Sequence, residues 1–369
     1  MRVLMISKAC LVAAYRTKLE EIAKFDDVEL TVIVPPAWRD KTAPVTLEPG
    51  HTTGYQLLVD PIRFNGQYHA YYFPTLKKRL AEYRPDVLHI DEEPYNLATW
   101  LAWRQGKKAG AKTLFFSWQN LERRYPPPFR TLEKQTLRGV DYAIMGNHEA
   151  VQVWQNKGYT GPYRVIPQFG IDPAMYPPRG PRDERRPFVI GSANRRLVPE
   201  KGLDLLLAAA ARLPDACWQV RIAGEGPERP RLEQLARQLG LQGKVQFDGA
   251  IPSCQMPAYL RQLDALVLAS RARPNWKEQF GRVLVEAMAC SVPVVGAASG
   301  EIPNVIGNAG LTFAENNVAE LHTHLLHLLQ SPALQHKLGQ KGRQRALSHY
   351  TQAQIAAQTV AVYREMVGE

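Results

Sequence analysis

Glu278-Gln279-Phe280-Gly281-Arg282-Val283-Leu284-Val285-Glu286-Ala287-Met288-Ala289-Cys290 is the most informative stretch of this 369-residue chain. Two carboxylates stand eight positions apart, with Gly281 between them and an apolar, helix-like run behind. Pro293-Val294-Val295 follows and reads as a buried strand. Sugar and ribose hydroxyls are donors that want charged acceptors, and a diphosphate wants the exposed N–H groups of a helix start. On helical geometry eight residues span roughly 12 Å, about the separation of a ribose from a sugar across a diphosphate.

On either side of that stretch, short apolar runs alternate with amphipathic ones. In the first half, residues 3–6, 30–34, 87–90, 113–116, 142–145 and 164–166 read as strands, and 16–24, 75–82, 98–108 and 149–157 as helices. The rhythm restarts with strands at 188–192, 218–223, 245–247, 265–268 and 294–296 and helices at 202–213, 229–239, 283–290 and 318–329. Such alternation builds a parallel sheet with helices on both faces. Pro177-Pro178-Arg179-Gly180-Pro181-Arg182-Asp183-Glu184 is Pro-rich, polar and poor in apolar residues, which marks a linker. The expected fold class is α/β: two Rossmann-like doubly wound domains, 1–180 and 181–350, facing a central cleft outside the carboxyl ends of both sheets. Residues 36–65 lack a clear period and read as a long excursion near an acceptor site.

A net charge of +11 invites a nucleic-acid reading. The basic residues are instead spread through both halves, without a basic helix or an aromatic-interleaved patch, so no nucleic-acid partner is expected. Lys77-Lys78-Arg79, Arg104 to Lys108 and Arg123-Arg124 suit the surface of an anionic membrane as well as a solvated helix face. No apolar run reaches the eighteen or more residues of a membrane-spanning helix. Lys8 interrupts the first apolar run and no small-residue cleavage site follows, so a first strand and a cytoplasmic chain are expected. Cys10, Cys217, Cys254 and Cys290 are scattered without C-x-x-C spacing, which favours reduced thiols over a disulfide frame or a zinc site.

Arg196-Leu197-Val198-Pro199-Glu200-Lys201-Gly202 opens a helix after a strand. A guanidinium and an ammonium at such a turn can converge on one diphosphate, with the helix start adding its dipole. This loop, the Glu278–Glu286 pair and Gly300-Glu301-Ile302-Pro303 resemble the donor site of the family-four glycosyltransferases, also called glycosyl transferases group 1, over nearly the whole chain. The resemblance implies a GT-B fold and retaining, metal-independent transfer of a hexose-type sugar from a nucleotide-diphosphate sugar, with no cofactor. It assigns Glu278 to the donor sugar, Arg196 and Lys201 to the pyrophosphate, and Glu286 to the ribose. Gly281 and Phe280 come with that motif, and Gly224, Glu225 and Phe247 border the nucleotide. It also implies that a C-terminal helix, within 351–369, crosses back to the N-terminal domain. The lack of any D-x-D motif fits.

His89-Ile90-Asp91-Glu92-Glu93 ends a predicted strand, which makes His89, Asp91 and Glu92 candidates for acceptor or sugar hydroxyls. The N-terminal half departs from the family: Ser7-Lys8-Ala9-Cys10 replaces a Gly-Gly loop, and Pro167-Gln168-Phe169 stands where Pro-Asn-Gly is usual. Ser117-Trp118-Gln119-Asn120 stands where many relatives carry a His, leaving Gln119 and Asn120 to take over its hydrogen bonds. The acceptor stays open between a glycan, a lipid-linked sugar and a small molecule. Two rival readings are a nucleotide-sugar epimerase of the same fold and a basic membrane- or nucleic-acid-binding protein with a degenerate donor site.

Overall fold

A computed structural model describes residues 1–39, 44–181, 183 and 185–368. The chain divides into two compact units, Met1–Gly170 with Gln352–Glu369, and Ile171–Thr351.

The first unit opens with β1 (Arg2–Ile6), α1 (Ala13–Ile22) and β2 (Glu29–Val34), then an antiparallel pair, β3 (Ala37–Arg39) and β4 (Pro44–Thr46), and β5 (Gln56–Val59). After α2 (Leu76–Tyr83) come β6 (Val87–Ile90), α3 (Leu97–Lys108), β7 (Lys112–Ser117), α4 (Phe129–Gly139), β8 (Tyr142–Met145), α5 (His148–Asn156) and β9 (Tyr163–Val165). Among the described residues one parallel sheet runs in the order β5-β2-β1-β6-β7-β8-β9. Successive strand residues point to opposite faces. Val3 and Met5 therefore meet Leu19 and Ile22 of α1, while Leu4 and Ile6 meet Leu76, Leu80, Ala98 and Ala102.

The second unit repeats the plan with β10 (Phe188–Arg196), α6 (Leu203–Ala210), β11 (Trp218–Glu225), α7 (Arg229–Gln238), β12 (Val245–Gly249), α8 (Met256–Leu260) and β13 (Ala265–Leu268). Then follow α9 (Arg282–Ala289), β14 (Val294–Ala297), α10 (Ile302–Ile306), β15 (Leu311–Phe313), α11 (Val318–Gln330) and α12 (Pro332–His349). Its parallel sheet has the order β12-β11-β10-β13-β14-β15. Both sheets are doubly wound, with the order reversing between β1 and β6 and between β10 and β13. Ligands of such sheets bind outside the carboxyl ends of the strands at that reversal.

The last helix, α13 (Gln352–Val367), belongs to the first unit. Its Ile355, Ala356, Val360, Val362 and Tyr363 share a core with Val3, Met5, Val32 and Val34.

The units divide at 170/171 rather than at 180/181. Arg179 is anchored inside the second unit, its guanidinium donating to the Asp264 carboxylate (2.9 Å) and its amide to the Cys290 carbonyl (2.9 Å). Of the Pro-rich stretch, Arg182 and Glu184 lie outside the described residues, as do 40–43 of the expected excursion. That excursion carries β3, β4 and β5, and Arg16 holds it. The buried guanidinium donates to the carbonyls of Cys10 and Leu11 near β1 and to those of Glu48 and Gly50. A buried charge needs such partners.

Candidate functional site

At the carboxyl end of the second sheet lies a cavity of about 450 Å³ whose lining includes Asn194, Arg195, Lys201, Glu278, Gly281, Arg282 and Glu286. Three glycines set its geometry. Gly281 caps α9 with φ of 75°, a conformation that side chains disfavour. A Cβ at Gly300 would lie 2.1 Å from the Glu278 carbonyl oxygen, the oxygen that accepts the Glu301 amide at 3.2 Å. A Cβ at Gly202 would lie 2.0 Å from the carbonyl of Ala269, so only glycine lets the Lys201 turn press against the end of β13.

Lys201 and Glu278 are thereby brought together from opposite sides of the strand reversal. The Lys201 ammonium donates to Glu278 Oε2 at 2.8 Å and lies 4.7 Å from the centre of the Trp276 ring, and the Ser270 hydroxyl donates to the same oxygen at 3.0 Å. Glu286 projects from α9. Tyr176 donates to its Oε1 at 3.0 Å and Arg282 Nε to the same atom at 2.9 Å, while among the described residues Oε2 has no donor. Burial pushes the Glu286 carboxyl above its ordinary value, against the opposing pull of Arg282 and Tyr176.

The other expected donor residues stand elsewhere. Arg195 and Arg196 are both exposed at the end of β10, where the β10–β11 register shifts between Ala193 and Arg196, and of the two it is Arg195 that lines the cavity. A shift of one residue exchanges the faces of a strand. Gly224 (φ 129°) allows a close approach to the Asn194 carbonyl, and Glu225 pairs with Arg229, whose guanidinium lies 5.8 Å from the Phe247 ring. Phe280 packs edge-on against Tyr350 at 5.7 Å.

The first unit has its own cavity, about 370 Å³, outside β1, β6 and β7. Asp91, Glu92 and Glu93 enter it from the end of β6, facing Lys8, Tyr15, Trp38, Tyr68, Trp118 and Gln168. Asp91 accepts from the Ser7 hydroxyl (2.6 Å) and the Gln168 amide (2.9 Å to each oxygen). Glu92 is ion-paired with Lys8. Glu93 accepts from the Ser117 hydroxyl (2.6 Å) and the Trp118 amide (2.8 Å). Burial pushes Glu93 up to about 7 against those two hydrogen bonds.

His89 does not reach this cavity. It is fully buried, its Nδ1 is 2.6 Å from the Tyr363 hydroxyl of α13, and burial drives it down to about 3. Gln119 and Asn120 are also buried and turned away, Gln119 to the Leu121 carbonyl and Asn120 to Glu149 (3.2 Å). Trp118 and Gln168 line the cavity in their place. The sequence marked both as departures from a familiar pattern; Trp38 lies in the excursion and Tyr68 just beyond it, where no period pointed to them.

Chemically, the second cavity suits a ligand with negative charge and hydroxyls: cations and a helix start for the anion, a buried carboxylate for the donors. No helix among the described residues is long and apolar enough to cross a membrane, and none of their His, Cys, Asp and Glu form a group of three able to hold a metal ion.

Residues 179–345 match the family model of glycosyl transferases group 1, and residues 19–175 that of glycosyltransferase family 4. An MMP alpha-(1->4)-mannosyltransferase of Mycolicibacterium hassiacum is 33% identical over 211 residues, covering 55% of this chain and 48% of that protein. A D-inositol 3-phosphate glycosyltransferase of Mycobacterium tuberculosis is 30% identical over 268 residues, covering 66% and 52%. The chain spans about half the length of the curated relatives it matches. Among solved structures, HepE of Anabaena in complex with UDP superposes with a TM-score of 0.73 at 17% identity, covering 99% of this chain and 100% of that one. Sucrose-phosphate synthase of Thermosynechococcus elongatus gives 0.71 at 20%, covering 100% and 99%. Those two likenesses are of fold.

Proposed function

The chain belongs to the group 1 glycosyl transferases, with two Rossmann-like units of the GT-B type, and on that premise we propose that it moves a hexose-type sugar from a nucleotide-diphosphate sugar to an acceptor hydroxyl, with retention and without a metal ion. The observation that carries the proposal is Glu286: a buried carboxylate whose protein donors all reach Oε1 presents Oε2 to the ribose hydroxyls. Lys201, Arg195 and the start of α9 hold the diphosphate. As the bond from C1 to the diphosphate breaks, the leaving oxygens gain negative charge, and groups already aimed there stabilise it. The acceptor oxygen then bonds to C1 on the face the diphosphate leaves, and its proton passes to a leaving phosphate oxygen. Glu278, held by Lys201 and Ser270, orients the sugar. One mycobacterial relative is a GDP-mannose-dependent mannosyltransferase and the HepE structure holds UDP, so both bases belong in the test.

That test is a thermal-shift panel of UDP, GDP, ADP and their hexose conjugates on the native chain and on the Lys201→Ala, Glu286→Ala double variant. A ligand that binds only the folded state raises the melting temperature. A rise with one base, lost in the double variant, is the expected result. No rise with any of them counts against the proposal and favours a binding protein with a degenerate donor site.

A further inference from the structure

The cavity of the first unit has a wall and a charge balance that discriminate among acceptors. Tyr15, Trp38, Tyr68, Phe116 and Trp118 supply the wall. Trp38 and Tyr68 meet edge to face at 5.1 Å, and Tyr15 lies flat on Phe169 at 4.0 Å. Trp38 is buried and Phe169 covers one side of Tyr15, so the half-exposed Tyr68 ring is placed to take the C–H face of another ring.

Among the described lining residues Lys8 is the one cation, against Asp91, Glu92 and Glu93. Its charge is committed: the ammonium is paired with Glu92 and lies 5.6, 5.8 and 5.1 Å from the ring centres of Trp38, Tyr68 and Tyr71. The Glu92 side chain is 1% exposed, so this pair is screened little by water. A phosphate entering here meets the Asp91 carboxylate, the partly ionised Glu93 and the Glu92–Lys8 pair, and gains no compensating partner for the hydration it loses. A hydroxyl loses far less and can donate to a carboxylate edge.

We infer that this cavity seats an uncharged, polyhydroxylated ring of the acceptor, a sugar residue stacked on the half-exposed Tyr68 ring, and excludes its phosphorylated counterpart. The inference rests on the glycosyltransferase reading for the word acceptor. The selection itself follows from the Lys8–Glu92 pair and the aromatic wall.

The experiment is ligand titration of the full chain, followed by tryptophan fluorescence and saturation-transfer NMR. The probes are methyl α-glucoside, methyl α-mannoside and maltose, set against glucose 6-phosphate and mannose 6-phosphate. Neutral glycosides should bind, weakened roughly five- to tenfold in Tyr68→Ala through loss of stacking. The sugar phosphates should bind at least tenfold more weakly. Glu92→Gln releases the Lys8 ammonium and should raise sugar-phosphate affinity on the order of tenfold, the scale of one charge-assisted hydrogen bond. Sugar phosphates binding the native chain as tightly as neutral glycosides overturn the inference. So do neutral glycosides that ignore Tyr68→Ala, and the absence of binding by any probe. Should Glu92→Gln fail to fold, the surface variant Tyr68→Ala still decides. The nucleotide panel runs on the same samples: a nucleotide shift without neutral-glycoside binding sinks this inference alone, whereas glycoside binding without a nucleotide shift sinks the donor reading alone.

Discussion

At the scale of single residues, function turns on which of two adjacent side chains a strand presents. Arg195 and Arg196 are chemically identical, and of the two it is Arg195 that lines the cavity, where the register shifts before Arg196. Arg195→Ala should weaken binding of the nucleoside diphosphate about tenfold, the cost of one charge-assisted contact to phosphate, and Arg196→Ala less than threefold. Calorimetric dissociation constants decide, and the reverse order would return the phosphate role to Arg196. His89 makes a second prediction. Its folded value of about 3 lies below its ordinary 6.5, so between those limits the unfolded chain binds a proton that the fold refuses. Stability should therefore drop as pH falls from 6.5 towards 3, with a slope from this group of up to about 1.4 kcal/mol per pH unit. His89→Gln keeps a polar partner for Tyr363 and should flatten that slope, measured by urea midpoints at pH 7 and pH 4.5. Equal slopes in the two proteins would show that other groups carry the acid sensitivity.

Elements were legible where their period was strong. Most strands of both central sheets are apolar runs bounded by turns and stand within a residue or two of the expected positions; β10 runs four residues further, to Arg196, and the short β15 was not expected. β5 was not legible, because it is an edge strand with half-exposed, partly polar residues. α12 was not either: its buried face includes Gly339 and Gly342, packed against Ser291 and Met288, in place of a stripe of large apolar residues. α13 is amphipathic in sequence, but its place in the first unit comes from the core it completes. Removing 352–369 takes Ile355, Val360, Val362 and Tyr363 from that core. At about 1.5–3 kcal/mol for each large buried side chain, the loss is comparable with the whole stability of a domain, about 5–15 kcal/mol. The truncated chain should lose protease resistance within the first unit, read by mapping the fragments, while the second unit stays resistant. Resistance retained throughout would mean that the helix is dispensable.

For the whole molecule, the sequence by itself determined two doubly wound α/β units, the family, and Lys201, Glu278 and Glu286 as candidate site residues. These rest on local facts: hydrophobic period, glycines at helix starts, and charged residues at fixed spacing along one turn or helix. Tertiary structure alone decided the rest. It joined Lys201 to Glu278 from distant segments, turned Arg195 rather than Arg196 to the cavity, and buried His89 under α13. It also gathered Lys8, Trp38, Tyr68 and Glu92 from four separate stretches into the lining of one cavity. The physical reason is common to all of these. Burial, desolvation and strand register depend on what lies across a sheet or above a helix, and spacing along the chain carries no record of that neighbour.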